Sequence, residues 1–392
     1  MRSSATSSAT SGSAFRPHNA EFKNTDKGRH GLHTSRRGRR GSCARRDILK
    51  DHTTTERLAK VEAAGNRFDP VLWKALGDAG LLSLTTPESH GGAGLGFLEL
   101  CRVLVEVGRT VAPAPLATDS VVRLLLAEHG TDDQKRAAYA LGVLSAAISE
   151  EHEHAPSVPT TTAALDGEEY VLTGTKYLVP AATVADAFVV TATTPDGTGV
   201  FLIDADAAGL QIREQRLSDG DAVGLIELAG ARVPADRRVG DGEAAQRLVD
   251  LLTVASCAVQ LGITEGAITL TAEYAKVREQ FDRPIGTFQA VSQRLADGYI
   301  DTRFLALTVW QAAWRLSEGL PAAEAIATAK LWASDAGHHI AHTTVHIHGG
   351  VGVDLDGEAH RYFTAATRYD FEYGGATEQA LRLGRLLAAG PA

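Results

Sequence analysis

The chain has 392 residues, 44% of them hydrophobic and 22% charged, enough for two or three domains and a sizeable core. Its three cysteines, Cys43, Cys101 and Cys257, are too few and too scattered for a disulfide framework or a zinc site, and a reducing cytoplasm fits that pattern. The formal charge of −9 hides a split, because residues 1–50 hold 12 of the 39 Lys+Arg and only 3 of the 48 Asp+Glu. The acidic remainder argues against nucleic acid as a partner of the folded part.

In chain order, residues 1–52 come first, with the Ser/Arg/Gly-rich runs SSATSSATSGSA and SRRGRRGSCARR. Such a stretch buries too little apolar surface to offset its chain entropy and reads as a disordered basic arm. A transit-like peptide, a tail touching nucleic acid or anionic lipid, and translated sequence ahead of the true start compete for it. The last is preferred, and no function is built on it. No apolar segment follows the arginines, which disfavours secretion.

Order is expected from residue 53. Leu72, Leu76 and Leu81 recur at helical spacing, Pro87 to Gly96 breaks the pattern, and a further helical run covers roughly 117–143. These make an N-terminal helical domain over 53–143. Short β-branched runs then appear: YVLTGTKYLVP, AFVVTA, GVFLIDA and LIELAGARV, bounded by Gly, Asp and Pro. They predict a middle β domain, barrel or sandwich, over 144–243.

Three long apolar-periodic runs follow from Gly242, each of about eight turns, and predict a C-terminal four-helix-type bundle over 244–392. The fold class is α+β, in separate layers. No run of eighteen or more apolar residues suggests a membrane span. No GxGxxG opens a helix after a strand, so a Rossmann site is not expected.

Two stretches carry a resemblance. AEYAKVREQFDRPIGTFQAVSQRLADGYID (272–301) and VHIHGGVGVDLDGEAHRYF (345–363), the latter followed by YGGATEQ, are similar to the signature of the acyl-CoA dehydrogenases. The likeness covers about 53–390 and implies that family's fold, with FAD as cofactor and an acyl-CoA as substrate. It is strongest to the β subunits of heterotetrameric actinobacterial steroid-side-chain enzymes, in particular the subunit paired for 3-oxocholest-4-en-26-oyl-CoA. There, an α2β2 assembly places the catalytic Glu on a homologous α subunit.

The implied chemistry removes an α-proton and passes the β-hydrogen as hydride to the flavin. This needs a carboxylate against the α-carbon and hydrogen bonds to the thioester oxygen. In the family the carboxylate follows the Tyr of the terminal motif, here Gly374, or stands on the first long C-terminal helix. Counting back about twenty-six residues from Arg278 puts that second place at Leu252. Neither residue takes a proton. Asp250 is two residues away, about 200° around a helix. Glu372 and Glu378 flank Gly374 and are expected to be surface charges. No catalytic residue is therefore assigned.

For the cofactor, the resemblance implies Arg278, Gln280, Phe281, His346, Gly349 and Gly350. A guanidinium suits pyrophosphate oxygens, and glycines permit close backbone approach. The plain alternatives are an ion pair of Arg278 with Glu279 or Asp282, a core role for Phe281 and an ordinary helix cap at the glycines. The segments that hold the flavin ring in the family depart from its pattern. ISEEHEHAPSVPT (148–160) lacks the matching glycine, and Lys176, Tyr177, Leu178 and Val179 replace a Trp-Ile-Thr/Ser run. In the terminal motif Ala376 replaces a hydroxyl residue.

His338, His342 and His346 share a helical face, but no completing ligand accompanies them and no metal is assigned. Besides the β-subunit reading, three others stand. One is a self-sufficient homotetramer with Asp250 or Glu378 as base. Another is a flavin monooxygenase on the same fold, and the last a non-enzymatic scaffold.

Overall fold

The computed structural model describes residues 47–390, so most of the predicted arm lies outside the described residues. Order reaches further back than residue 53. Residues 47–52 are helical (α1), and Leu49 is fully buried, because its apolar side chain has a core to join.

The N-terminal layer comprises α2 (Thr55–Ala64), α3 (Pro70–Asp78), α4 (Phe97–Arg109), α5 (Leu116–His129) and α6 (Asp132–Tyr139). The single helical run expected over 117–143 is two helices. Thr131 caps the second through a reciprocal capping box with Gln134, so the backbone leaves the helix there and starts again.

The middle layer holds β1 (Leu144–Ala147), β2 (Thr162–Asp166), β3 (Glu169–Pro180), β4 (Ala187–Thr194), β5 (Gly197–Asp204), β6 (Leu210–Arg216), β7 (Ala222–Pro234) and β8 (Arg238–Gly240). They form one eight-stranded sheet in the order β6-β7-β3-β2-β4-β5-β8, with β1 paired to β4. The predicted runs are β3, β4, β5 and β7. Most pairings are antiparallel, but β4 runs parallel to β1, in register from Leu144↔Ala187 to Ala147↔Val190. Both strands are almost wholly buried, as strands covered on both faces must be.

The C-terminal layer is α7 (Gly242–Val277), a small hairpin of β9 (Glu279–Gln280) and β10 (Arg283–Pro284), α8 (Gln289–Ser317), α9 (Ala323–His348), α10 (Ala359–Phe371) and α11 (Ala376–Ala388). α9 packs against α7, α8, α10 and α11 and is the centre of the bundle. α7 is long and apolar enough to cross a membrane, yet 89% of its apolar window is buried within the fold.

Two glycines set how closely α4 and α7 cross. A Cβ on Gly108 would lie 1.9 Å from the Val259 carbonyl oxygen, and one on Gly262 would lie 1.9 Å from that of Val105. Backbone therefore packs directly on backbone, and this contact carries the N-terminal layer onto the bundle.

Candidate functional site

The six residues implied for the cofactor gather at one end of the bundle. α7 ends at Val277, and Arg278 is its extended C-cap. The hairpin turns at Phe281 and Asp282, with φ of 54° and 62°, a conformation that costs energy in residues other than glycine. Phe281 is not core: it is 86% exposed and touches the Phe288 ring edge-on at 6.1 Å. Arg278 and Gln280 are exposed as well. The guanidinium of Arg278 makes no hydrogen bond or ion pair among the described residues, so the pairing with Glu279 or Asp282 does not form.

α9 ends beside this hairpin. Tyr274 of α7 stacks on His348 with ring centroids 4.3 Å apart, and His348 Nδ1 bonds the Thr344 carbonyl at 2.8 Å. His346 is exposed on the same last turn. Gly349 has a φ of 64°, and a Cβ at Gly349 or Gly350 would meet nothing within 4 Å. A guanidinium, an aromatic tip and bare backbone are thus all exposed at the ends of α7 and α9.

The remaining histidines diverge. His338 approaches the Asp370 carboxylate at 3.5 Å, with the His342 ring 4.6 Å away, whereas His339 turns to Asp301 of α8.

The interior is different. One cavity of about 80 Å³ lies among the three layers, and its apolar lining includes Val107, Val111, Leu252 and Val259. A second, of about 190 Å³, is bounded by Ser149, Leu178, Val223 and Phe371. Arg368, Glu372 and Tyr373 line both. Leu252, one of the two base positions, faces the first cavity. Asp250 points elsewhere, to Gln246 Nε2 at 2.9 Å and Arg382 at 3.7 Å. Gly374 is packed against the carboxylate of Glu378 and the amide of Gln379, which would lie 2.8 and 2.7 Å from an added Cβ.

Glu372 corrects the expectation of a surface charge. α10 ends one residue earlier, and Glu372, as its extended C-cap, turns inward while Glu378 stays exposed on α11. Its Oε1 is 3.7 Å from Arg368, and its Oε2 is buried without a hydrogen-bond partner among the described residues. Burial pushes its carboxyl up, against the pull of Arg368.

The two segments that depart from the family pattern are tied to each other. Lys176, fully buried, donates to Glu150 Oε1 at 2.8 Å. Glu150 also accepts from backbone and hydroxyl of Thr160 and Thr161. Burial alone would raise the Glu150 carboxyl, but Lys176 and the threonine donors reverse this and bring it to about 2. At Lys176 burial wins and takes the ammonium down to about 8, with Glu150 opposing. Sequence reading missed this pair. Its only signal was a lysine inside a strand pattern.

Three family models match in sequence: the acyl-CoA dehydrogenase N-terminal domain over 44–141, the middle domain over 145–226 and the C-terminal domain over 240–385. The chain belongs to the acyl-CoA dehydrogenase family. Its chemistry is accordingly the FAD-dependent oxidation of an acyl-CoA. The acyl-CoA dehydrogenase FadE27 of Mycobacterium tuberculosis is 45% identical over 86% of this chain and 94% of its own length. FadE28 of the same organism is 33% identical over 80% and 91%. Among solved structures, a chain of the ChsE4-ChsE5 complex of M. tuberculosis has a TM-score of 0.87 at 44% identity, covering 92% of this chain and all of that one. A chain of a variant of the Tcur3481-Tcur3483 steroid enzyme has a TM-score of 0.86 at 41% identity, covering 90% and 98%.

Proposed function

We propose that this acyl-CoA dehydrogenase chain is the β, non-base-carrying subunit of a heterotetramer, and that its outward end completes the FAD site of a homologous α subunit. The observation that carries this reading is the split between the two halves of the site. Both base positions are filled by residues that take no proton, Leu252 and Gly374. At the same time Arg278, Gln280, Phe281, His346, Gly349 and Gly350 stand exposed, and the Arg278 guanidinium has no partner among the described residues.

The residues fit the nucleotide end of FAD and not its ring end. Arg278 would neutralise the pyrophosphate through a planar donor fork, and the open ground over Gly349 and Gly350 would let backbone come close to it. Gln280 and His346 would supply hydrogen bonds, and Phe281 an apolar contact. In the ring-holding segments Lys176 and Glu150 are spent on each other. FAD, when bound, supplies the hydride acceptor. The carboxylate that takes the α-proton belongs, on this reading, to the α subunit.

The substrate follows from likeness to the steroid enzyme and is a steroid side-chain acyl-CoA, handled in the cytoplasm without nucleic acid or membrane. Two alternatives meet specific geometry. Asp250 is engaged with Gln246 and Arg382, away from both cavities. Glu378 sits beside Gly374 but lines neither cavity. Co-expression with the homologous partner tests the proposal: about one FAD per two chains and no turnover by this chain alone are expected. Full flavin and full activity in the isolated chain would end it.

A further inference from the structure

The two runs implied for the cofactor meet at Tyr274 and His348. The Tyr274 carbonyl accepts from Arg278 N at 2.9 Å, and His348 directly precedes Gly349. Their rings stack at 4.3 Å with planes 22° apart. The stem of His348 is also closed in by Gly352, where a Cβ would lie 3.0 Å from that of His348. The imidazole is therefore half-buried and held in one orientation.

His348 Nδ1 lies 2.8 Å from the Thr344 carbonyl oxygen. A carbonyl oxygen only accepts, so Nδ1 carries the proton, and in the neutral ring Nε2 is left with a lone pair. Nε2 has no hydrogen-bond partner among the described residues and is not shut off from solvent. Burial takes the imidazole below its usual 6.5, with the Thr344 bond opposing, so the neutral ring is the form present at pH 7.

We infer that His348 is a further cofactor-contacting residue, whose Nε2 accepts a hydrogen bond from the adenosine half of FAD, from its ribose hydroxyls or its adenine amino group. The inference rests on the β-subunit reading and deepens it by adding an acceptor of fixed direction. The chemistry of the ligand decides that direction. Phosphate oxygens accept, and a guanidinium suits them. A lone pair on Nε2 repels them, so this nitrogen does not serve the pyrophosphate. The donors in the nucleotide half of FAD are the ribose hydroxyls and the adenine amino group, and these need an acceptor. Arg278 only donates and Phe281 carries no polar atom, whereas His348 offers a lone pair that the Tyr274 stack and the Thr344 bond already aim. A ring ordered in advance has little side-chain freedom left to lose when the ligand arrives.

The test uses the purified α2β2 complex, stripped of flavin and titrated with FAD, read by flavin fluorescence. His348→Phe keeps a ring for the Tyr274 stack and removes the acceptor. FAD should then bind about three- to tenfold more weakly, the worth of one hydrogen bond. His348→Gln, which returns an acceptor, should recover most of that loss. Thermal unfolding of the flavin-free complex should be the same in all three proteins, which separates contact from packing. Unchanged affinity in His348→Phe, an equal loss in both variants, or a loss that tracks lowered stability would overturn the inference and leave the β-subunit reading standing. FAD carrying hypoxanthine in place of adenine tells the two donors apart, and either result supports the inference. The wild type binds it as weakly as His348→Phe binds FAD if the amino group donates, and as tightly as FAD if the hydroxyls do. A complex whose FAD affinity is unmoved by both Arg278→Ala and His348→Phe would sink the β-subunit reading and this inference together.

Discussion

Two ends of the same bundle treat charge in opposite ways. At the end of α10, Arg67 and Arg368 are consumed by Asp219, Asp221 and Glu372, and nearby Lys176 is consumed by Glu150. At the hairpin, Arg278 is exposed and without a partner among the described residues. A charge surrounded by its own counter-ions has nothing left to offer a ligand, whereas a bare guanidinium on rigid secondary structure is ready for one. The contrast teaches where in this chain recognition can occur, and four changes would break or sharpen it.

The largest effect is expected inside. Lys176→Met leaves Glu150 buried without its cation and should cost about 3–5 kcal/mol, measured by denaturant unfolding of the assembled protein. A cost near zero would mean that water reaches Glu150 and that the interior is less closed than it looks. Next, Arg278→Ala should leave stability within about 0.5 kcal/mol but loosen flavin in the complex by about 1.5–3 kcal/mol, tenfold or more in retention. A loss of stability without loss of flavin would reverse the contrast.

The third change is acid. The Glu150 carboxyl lies at about 2, against its usual 4.5, so its contribution is complete above about 4.5 and is lost as pH falls from there towards 2. Thermal unfolding across that window should show a slope that Glu150→Gln flattens. The smallest effect is at the hairpin tip. Phe281→Gly removes the left-handed strain and should raise stability by up to about 1 kcal/mol, while flavin retention falls.

The proposed cofactor residues were picked out in residue order because their signals are local. Arg278 to Phe281 and His346 to Gly350 are short contiguous runs at the ends of two helices, so each end could be recognised from its own residues. What could not be read is how a side chain turns after a helix stops. Glu372 looked like a surface charge beside Gly374, yet the extended cap after α10 rotates it inward. By contrast, the break within 117–143 was legible and was passed over: Gly130 and the Thr131–Gln134 spacing of a capping box mark it in the sequence, and the structure shows it.

By itself the sequence determined the three-layer order, the four longest predicted strands, the lack of an acid at positions 252 and 374, and the family signature. Periodicity, turn residues and side-chain chemistry are properties of neighbours along the chain, and they survive without coordinates. Only the tertiary structure decided that Arg67, Asp219 and Arg368 converge, that Lys176 spends its charge on Glu150, and that Arg278 keeps its own. Pairing between residues some 150 positions apart depends on which surfaces the core brings together, and that is settled by packing, not by any local pattern.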